Sequence, residues 1–280
     1  MRKPKLSGVY YKASNVLLEK QIKEAFTHEL GPGDLPLSDN SEDVQGIIVP
    51  HYGYDFAAPC MAWGYKSLAE AKFPDVFIIV AESDESGITT EPYETPFGFA
   101  RIEQKLAKSV LKKGNIKENN PLFDRDDFVE SQLPFLQFIH GRESSVKILP
   151  ILLNGDINLR SLCVDIKESL ADLDLSAKII VPSNLTKFGP DYTYLPFSSE
   201  VSQKVYDLDH GAFEAIRIGN AKGYLDYYSS KGMNSDNPLG IAFALQYLRP
   251  KNSLLEQYYT TADINDDLKN FVTFASVILK

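Results

Sequence analysis

Ile47-Ile48-Val49-Pro50-His51-Tyr52-Gly53-Tyr54 is an apolar run that stops at a proline and delivers one histidine among aromatics. An apolar stretch without alternation, bounded by turn formers, is what a strand covered on both faces looks like, and such strands belong to mainly parallel α/β sheets. His51 is then expected at the strand's carboxyl end, where loops converge on ligands in open α/β sheets.

Working outward, the same alternation of strand and helix recurs. A helix capped by Ser14 or Asn15 is expected to end at Gly31-Pro32-Gly33, and Ala57 to Ala69 carries a pattern that suits a helix packed on the sheet. Asp75 to Val80, Val146 to Leu153 and Lys178 to Val181 read as further buried strands. Between and after them, helices are expected over Glu103–Lys113, from Asp126 onward with a kink or restart at Pro134, and over Leu159–Leu170. Three more are expected over Glu200–Arg217, Ala221–Ser230 and Pro238–Leu248, the last opening on proline in its first turn. Leu254–Thr261 and Phe271–Leu279 read as closing strands, and the polar stretch Gly31–Asp43 as a mobile loop. No repeat of fixed period interrupts this order, so the expectation is one α/β domain over 1–280 with a central, mainly parallel or mixed sheet flanked by helices.

Composition narrows the function classes. The 280 residues are 44% hydrophobic and 24% charged, ample for a buried core. A formal net charge of -9 argues against nucleic-acid and anionic-membrane partners, which call for a concentrated basic surface. Cys60 and Cys163 lie far apart without metal-type spacing and read as buried thiols. Neither a signal-peptide pattern nor a membrane-length apolar stretch is seen, so a cytoplasmic setting is expected. His28, His140 and His210 read as surface or packing residues. The acidic turn Ala81 to Gly87, directly after a buried strand, is a second place where a hard cation could be held by oxygen atoms, though a solvated acidic loop is the favoured reading.

Five stretches taken together carry a resemblance: Gly8-Val9-Tyr10-Tyr11, Pro50-His51-Tyr52-Gly53-Tyr54, Thr95-Pro96-Phe97-Gly98, Glu130-Ser131-Gln132-Leu133-Pro134-Phe135 and the ending Tyr258 to Ser276. In the same order and over nearly the whole chain they resemble the Memo family, which includes the bacterial AmmeMemoRadiSam system protein B. The resemblance implies a class III extradiol dioxygenase-like fold and a cleft at the strand ends whose histidines and cysteine can hold iron or copper.

Set against that family pattern, His51 stands at the first metal-binding histidine, while Ala81-Glu82-Ser83-Asp84 matches Gly-Pro-Ser-His and so puts Asp84 at the second. Asp126-Asp127-Phe128 matches Glu-His-Ser, Lys187 ends the match to Ser-Ser-Asp-x-x-His, and Asn234 stands for the cysteine. Carboxylates and amides in place of imidazole and thiolate suit magnesium, calcium or manganese rather than iron or copper. Lys187, drawn by the same resemblance toward His51 and Asp84, is expected to pair with Asp84 in the space of a cation.

The resulting expectation is a divergent Memo-like binding or accessory protein without a cofactor, acting on an unidentified small molecule or protein. His51, Asp84 and Lys187 are its candidate catalytic residues, and Tyr54, Asp127, Glu130, Asn184 and Asn234 its candidate ligand contacts. The alternative is a redox or hydrolytic enzyme that keeps a divalent metal ion through His51 and Asp84, with Asp127 or Glu130 in support. A third reading is metal-free acid–base chemistry with His51 as base, oriented by Asp84, and Lys187 stabilising negative charge. Whether the chain is an enzyme stays open at this level.

Overall fold

A computed structural model describes residues 2–37, 40–141 and 146–280. In chain order its elements are α1 (Asn15–Thr27), β1 (Gly46–Val49), α2 (Tyr54–Ala69), β2 (Val76–Glu82), β3 (Gly87–Ile88), β4 (Tyr93–Thr95), β5 (Gly98–Ile102), α3 (Gln104–Lys113), α4 (Phe128–His140) and β6 (Lys147–Leu153). There follow α5 (Leu159–Leu173), β7 (Ala177–Pro182), β8 (Lys187–Phe188), α6 (Val201–Arg217), α7 (Ala221–Lys231), α8 (Pro238–Leu248), β9 (Ser253–Thr260), α9 (Ala262–Asn265) and β10 (Phe271–Leu279). Two residues of the expected loop Gly31–Asp43, 38 and 39, lie outside the described residues.

The described strands form one ten-stranded mixed sheet in the order β4-β5-β6-β2-β7-β1-β10-β8, with β3 paired to β6 and β9 to β10. Its middle, β5-β6-β2-β7-β1, is parallel. β10 runs antiparallel to β1, with Ile47 opposite Ile278. All four residues of β1 and all nine of β10 are buried, as unalternating apolar runs require when helices cover both faces of a sheet. Gly46 and Ile47 show the two faces directly, since successive strand residues point to opposite sides. A side chain at Gly46 would meet Leu248 of α8, whereas Ile47 reaches Gly64 of α2 on the other face. A Cβ at Gly64 would come within 2.5 Å of Val49 Cγ1, so the glycine is what lets α2 lie this close to the central strand. The result is a single α/β domain with a main core spanning both layers and a small second cluster of Phe188, Val205, Ala262 and Phe271.

Most expected elements appear within a few residues of their expected bounds, and the departures have local causes. α2 begins at Tyr54 rather than Ala57, because the Gly53 carbonyl already accepts from the Phe56 and Ala57 amides. α4 continues through Pro134 without restarting; nine consecutive residues from Val129 to Gln137 are buried, and packing on all sides holds a helix that has lost one backbone bond. The two-residue strands β3 and β8 and the short α9 have too few residues to show any period. No helix among the described residues is long and apolar enough to cross a membrane.

What brings the site together is the strand order. β7 lies between β1 and β2, so the chain leaves β1, skips a place and returns, and the carboxyl ends of β1, β7 and β2 open side by side. The loop leading into α8 crosses these ends and is pinned by Asn237. Its side-chain amide donates to Val80 O of β2 at 3.0 Å and to Pro182 O of β7 at 2.7 Å, while its carbonyl caps α8 by accepting from Gly240 N at 3.0 Å. Asn237 is fully buried, so Asn237→Ala would strand two carbonyls and an amide. The variant is expected to lose about 3 kcal/mol of unfolding free energy, read as a lower urea midpoint at unchanged slope.

Candidate active site

Three connections build the crevice: those after β1, between β7 and β8, and before α8. β1 delivers His51 two residues beyond its end. β7 delivers Asn184, whose side chain brackets the His51 backbone, accepting from His51 N at 3.2 Å and donating to His51 O at 2.9 Å. The loop before α8 delivers Asp236, and β8 begins at Lys187. Asp236 is the hub. Its Oδ2 lies 2.8 Å from His51 Nε2, 2.8 Å from Lys187 Nζ and 2.9 Å from the donating Asn184 Nδ2, and its Oδ1 accepts from Asn184 N at 2.9 Å.

Burial is the largest single influence on the Asp236 carboxyl and pushes its pKa up. His51 and then Lys187 outweigh it together, so the group titrates below the usual aspartate value. Phe128, at the start of α4, lies over the imidazole with ring centroids 3.9 Å apart. The ring's other nitrogen, Nδ1, is buried with no hydrogen-bond partner among the described residues. In a neutral imidazole that gives Nε2–H to Asp236, Nδ1 carries a bare lone pair.

His51 forms one wall of a cavity of about 340 Å³, shared with Glu82, Asp84, Arg125, Asp126 and Asp127. Asp126 is buried and caps α4, accepting from Phe128 N at 3.1 Å and Val129 N at 2.9 Å. Burial nevertheless pushes its carboxyl up to about 6. Glu82, whose carboxylate accepts from Leu239 N at 3.1 Å, is likewise raised, by burial first.

Not all the residues singled out from the sequence share this crevice. His51, Lys187 and Asn184 do. The expected pair of Lys187 with Asp84 is replaced by Lys187 with Asp236, because the pinned loop before α8 dips between β7 and β2 while Asp84 stays exposed on the cavity rim. Asp127 lines the cavity but pairs with Lys5 at 2.6 Å. Glu130 is taken up by the N-terminal segment, accepting from Lys5 N at 3.1 Å, Leu6 N at 2.8 Å and Tyr11 Oη at 2.7 Å, so it acts as a structural anchor rather than a ligand contact. Tyr54 is buried, with Oη donating to Ser131 O at 2.7 Å, and so belongs to the core. Asn234 donates to Lys187 O at 3.1 Å and holds the backbone of β8.

Asp236 was not among the residues the sequence pointed to. Its signal was an acid flanked by serine and asparagine just ahead of a helix-opening proline, a pattern that surface caps share. Among the described residues no three or more His, Cys, Asp or Glu side chains are grouped so as to hold a metal ion. The two cysteines are free and buried, and burial pushes both thiols up, Cys163 to about 12.

Comparison with known proteins accords with this architecture. The chain superposes on the crystal structure of an uncharacterized protein from Escherichia coli K12 with a TM-score of 0.52 at 11% identity, covering 85% of this chain and 100% of that one. The two share an α/β fold. The family model for the Memo-like protein matches residues 2–278, and the chain belongs to that family. A MEMO1 family protein of Methanopyrus kandleri is 25% identical over 100% of this chain and 99% of its own length. A second, from Pyrobaculum aerophilum, is 31% identical over 76% of this chain and 79% of its own.

Two outcomes follow from the site's electrostatics. Asp236 has a depressed carboxyl, so the stability it contributes is present above the unfolded aspartate value near 3.9 and is lost as pH falls through the lower folded value. Asp236→Ala, which leaves Lys187 and His51 facing an apolar gap, is expected to cost about 3 kcal/mol at pH 7 in urea unfolding. It should also flatten the acid limb of the stability curve. Asp126 has the opposite sign. Its folded value of about 6 lies above the unfolded one, so its contribution is full below about pH 4 and declines as pH rises through 6. Asp126→Asn is expected to gain about 1 kcal/mol at pH 7 and nothing at pH 4, measured as the difference between the two unfolding curves.

Proposed function

We propose that this Memo-family chain is a binding or accessory protein with a divergent, metal-free cleft, and that it does not cleave aromatic rings. The observation that carries the reading is the convergence of His51 Nε2, Lys187 Nζ and Asn184 Nδ2 on one oxygen of Asp236. Nε2 of the imidazole is engaged by Asp236 and an ammonium stands beside it, which is a poor donor set for iron, copper or zinc. The cluster neutralises itself, which supports a cleft that binds without a Lewis acid. Its walls favour a small polar ligand bearing positive charge, since Glu82, Asp84, Glu85, Asp126 and Asp127 outnumber Arg125. A cytoplasmic setting belongs to the same proposal, in keeping with two unpaired buried thiols.

One feature favours a second reading, a metal-dependent redox or hydrolytic enzyme: the cavity gathers His51 with Asp84 and Asp127, and a shift of Lys5 would release the last. A single experiment separates the two. Untagged protein purified without chelator is analysed for metals before and after incubation with iron, copper, zinc and manganese, beside His51→Ala. The binding reading expects no stoichiometric metal in either protein and no opening of a catechol ring. Close to one equivalent of metal that His51→Ala loses would overturn it in favour of the enzyme.

A further inference from the structure

The amino-terminal segment runs against the start of α4, and what it brings there bears on the cleft. Arg2 fixes one end of the segment. It is buried, with Nη1 donating to Thr89 Oγ1 at 2.7 Å and to Glu91 O at 3.1 Å, and Nη2 donating to Asn120 O at 2.6 Å. A guanidinium is tolerated inside a protein only where acceptors meet it, so this contact fixes the chain firmly. Glu130 of α4 fixes the middle, accepting from the Lys5 and Leu6 amides.

From that anchor the Lys5 side chain has a short way to go. Asp127 and Glu130 are three residues apart at the start of α4, a spacing that puts side chains on one face. Lys5 holds both, Glu130 with its backbone amide at 3.1 Å and Asp127 with its ammonium at 2.6 Å. Asp127 is also part of the wall of the cavity of about 340 Å³ beside His51. The Lys5 ammonium therefore neutralises one of the charges that would draw a cationic ligand. Lys3 carries the same charge on the same segment, yet it pairs at 2.6 Å with Glu94, which is not part of that wall.

We propose that Lys5 is an internal competitor for the cleft, a latch whose ammonium holds Asp127 until a positively charged ligand displaces it. The inference rests on the proposed reading of the cleft as a binder of cationic ligands and adds its regulation. A ligand's charge and the Lys5 ammonium compete for one carboxylate, so the two contacts oppose each other. The opposition is reciprocal: removing Lys5 tightens the ligand by the same factor by which the ligand loosens Lys5. Exposure sets the size of the effect. The Lys5 and Asp127 side chains are 36% and 41% exposed, so water screens the pair and its loss is worth about a threefold change in affinity. The backbone anchor at Glu130 keeps a displaced ammonium close by, and the latch closes again when the ligand leaves.

The test is calorimetric titration of the intact chain with 1,4-diaminobutane near neutral pH and at low salt, where screening is least. Lys5→Met and Lys3→Met are titrated beside it. Each variant removes one positive charge from the same segment, but only Lys5→Met frees Asp127. Lys5→Met is expected to bind the diamine about three times more tightly than the unaltered chain, and Lys3→Met no differently from it. Adding Asp84→Asn to Lys5→Met should weaken binding again, which places the probe in the cleft. Affinity in Lys5→Met no higher than in Lys3→Met overturns the latch and leaves a cation-binding cleft standing. A gain that Asp84→Asn does not touch puts the probe elsewhere and overturns it as well. Absence of binding in every variant overturns the latch together with the preference for cations, while the metal-free reading is decided separately by metal content.

Discussion

One carboxylate oxygen organises the crevice. Asp236 Oδ2 accepts from an imidazole that follows β1 and from an amide and an ammonium at the two ends of the short β7–β8 connection, so the positions of His51, Lys187 and Asn184 are mutually dependent. Inside a protein such a cluster is strong only when every member is satisfied, because the same low polarity that strengthens each bond penalises any that is missing. Asn184 makes the arrangement stiff by bracketing the backbone of His51 from both sides. The one loose end is His51 Nδ1, and it belongs to the residue that forms a wall of the cavity.

That hub depends on backbone placement. The sheet carries β7 between β1 and β2, which brings three carboxyl ends into one row, and Asn237 then ties the loop before α8 across two of them. Elsewhere buried polar groups serve the same end. Glu130 gathers the N-terminal segment, and Asp209 is held by Thr186, Tyr258 and Thr273 beside β8 and β10. In each case a carboxylate deep in the fold is tolerated because several donors meet it. Burial still leaves its mark, pushing the Asp209 carboxyl to about 6.

Much of the scaffold was legible in the chain. Unalternating runs such as Ile47 to Val49 and Val76 to Val80 state that a strand is covered on both faces, whatever its neighbours are. Helices with proline or glycine at their ends announced their bounds, as Pro238–Leu248 shows. His51 was visible for a related reason: a polar residue directly after a buried strand must lie at the sheet's edge. Asp84 was visible in the same way and lies on the rim, yet its partner was misassigned, since proximity in a motif says little about which of two acids reaches an ammonium. Tyr54 and Glu130 sit in motifs of the same strength, but one points into the core and the other toward the N-terminal segment.

By itself, then, the sequence determined the α/β class, nearly all of the longer elements, the acidic surface and the edge at which His51 would emerge. These are properties of local period, end signals and composition, and they do not require knowing which segments touch. Only the tertiary structure decided that Asp236 faces His51 across a separation of 185 residues and that Lys187 turns to it rather than to Asp84. Charge pairing and burial are long-range quantities, fixed by strand order and by the loop that Asn237 holds, and no local pattern carries them.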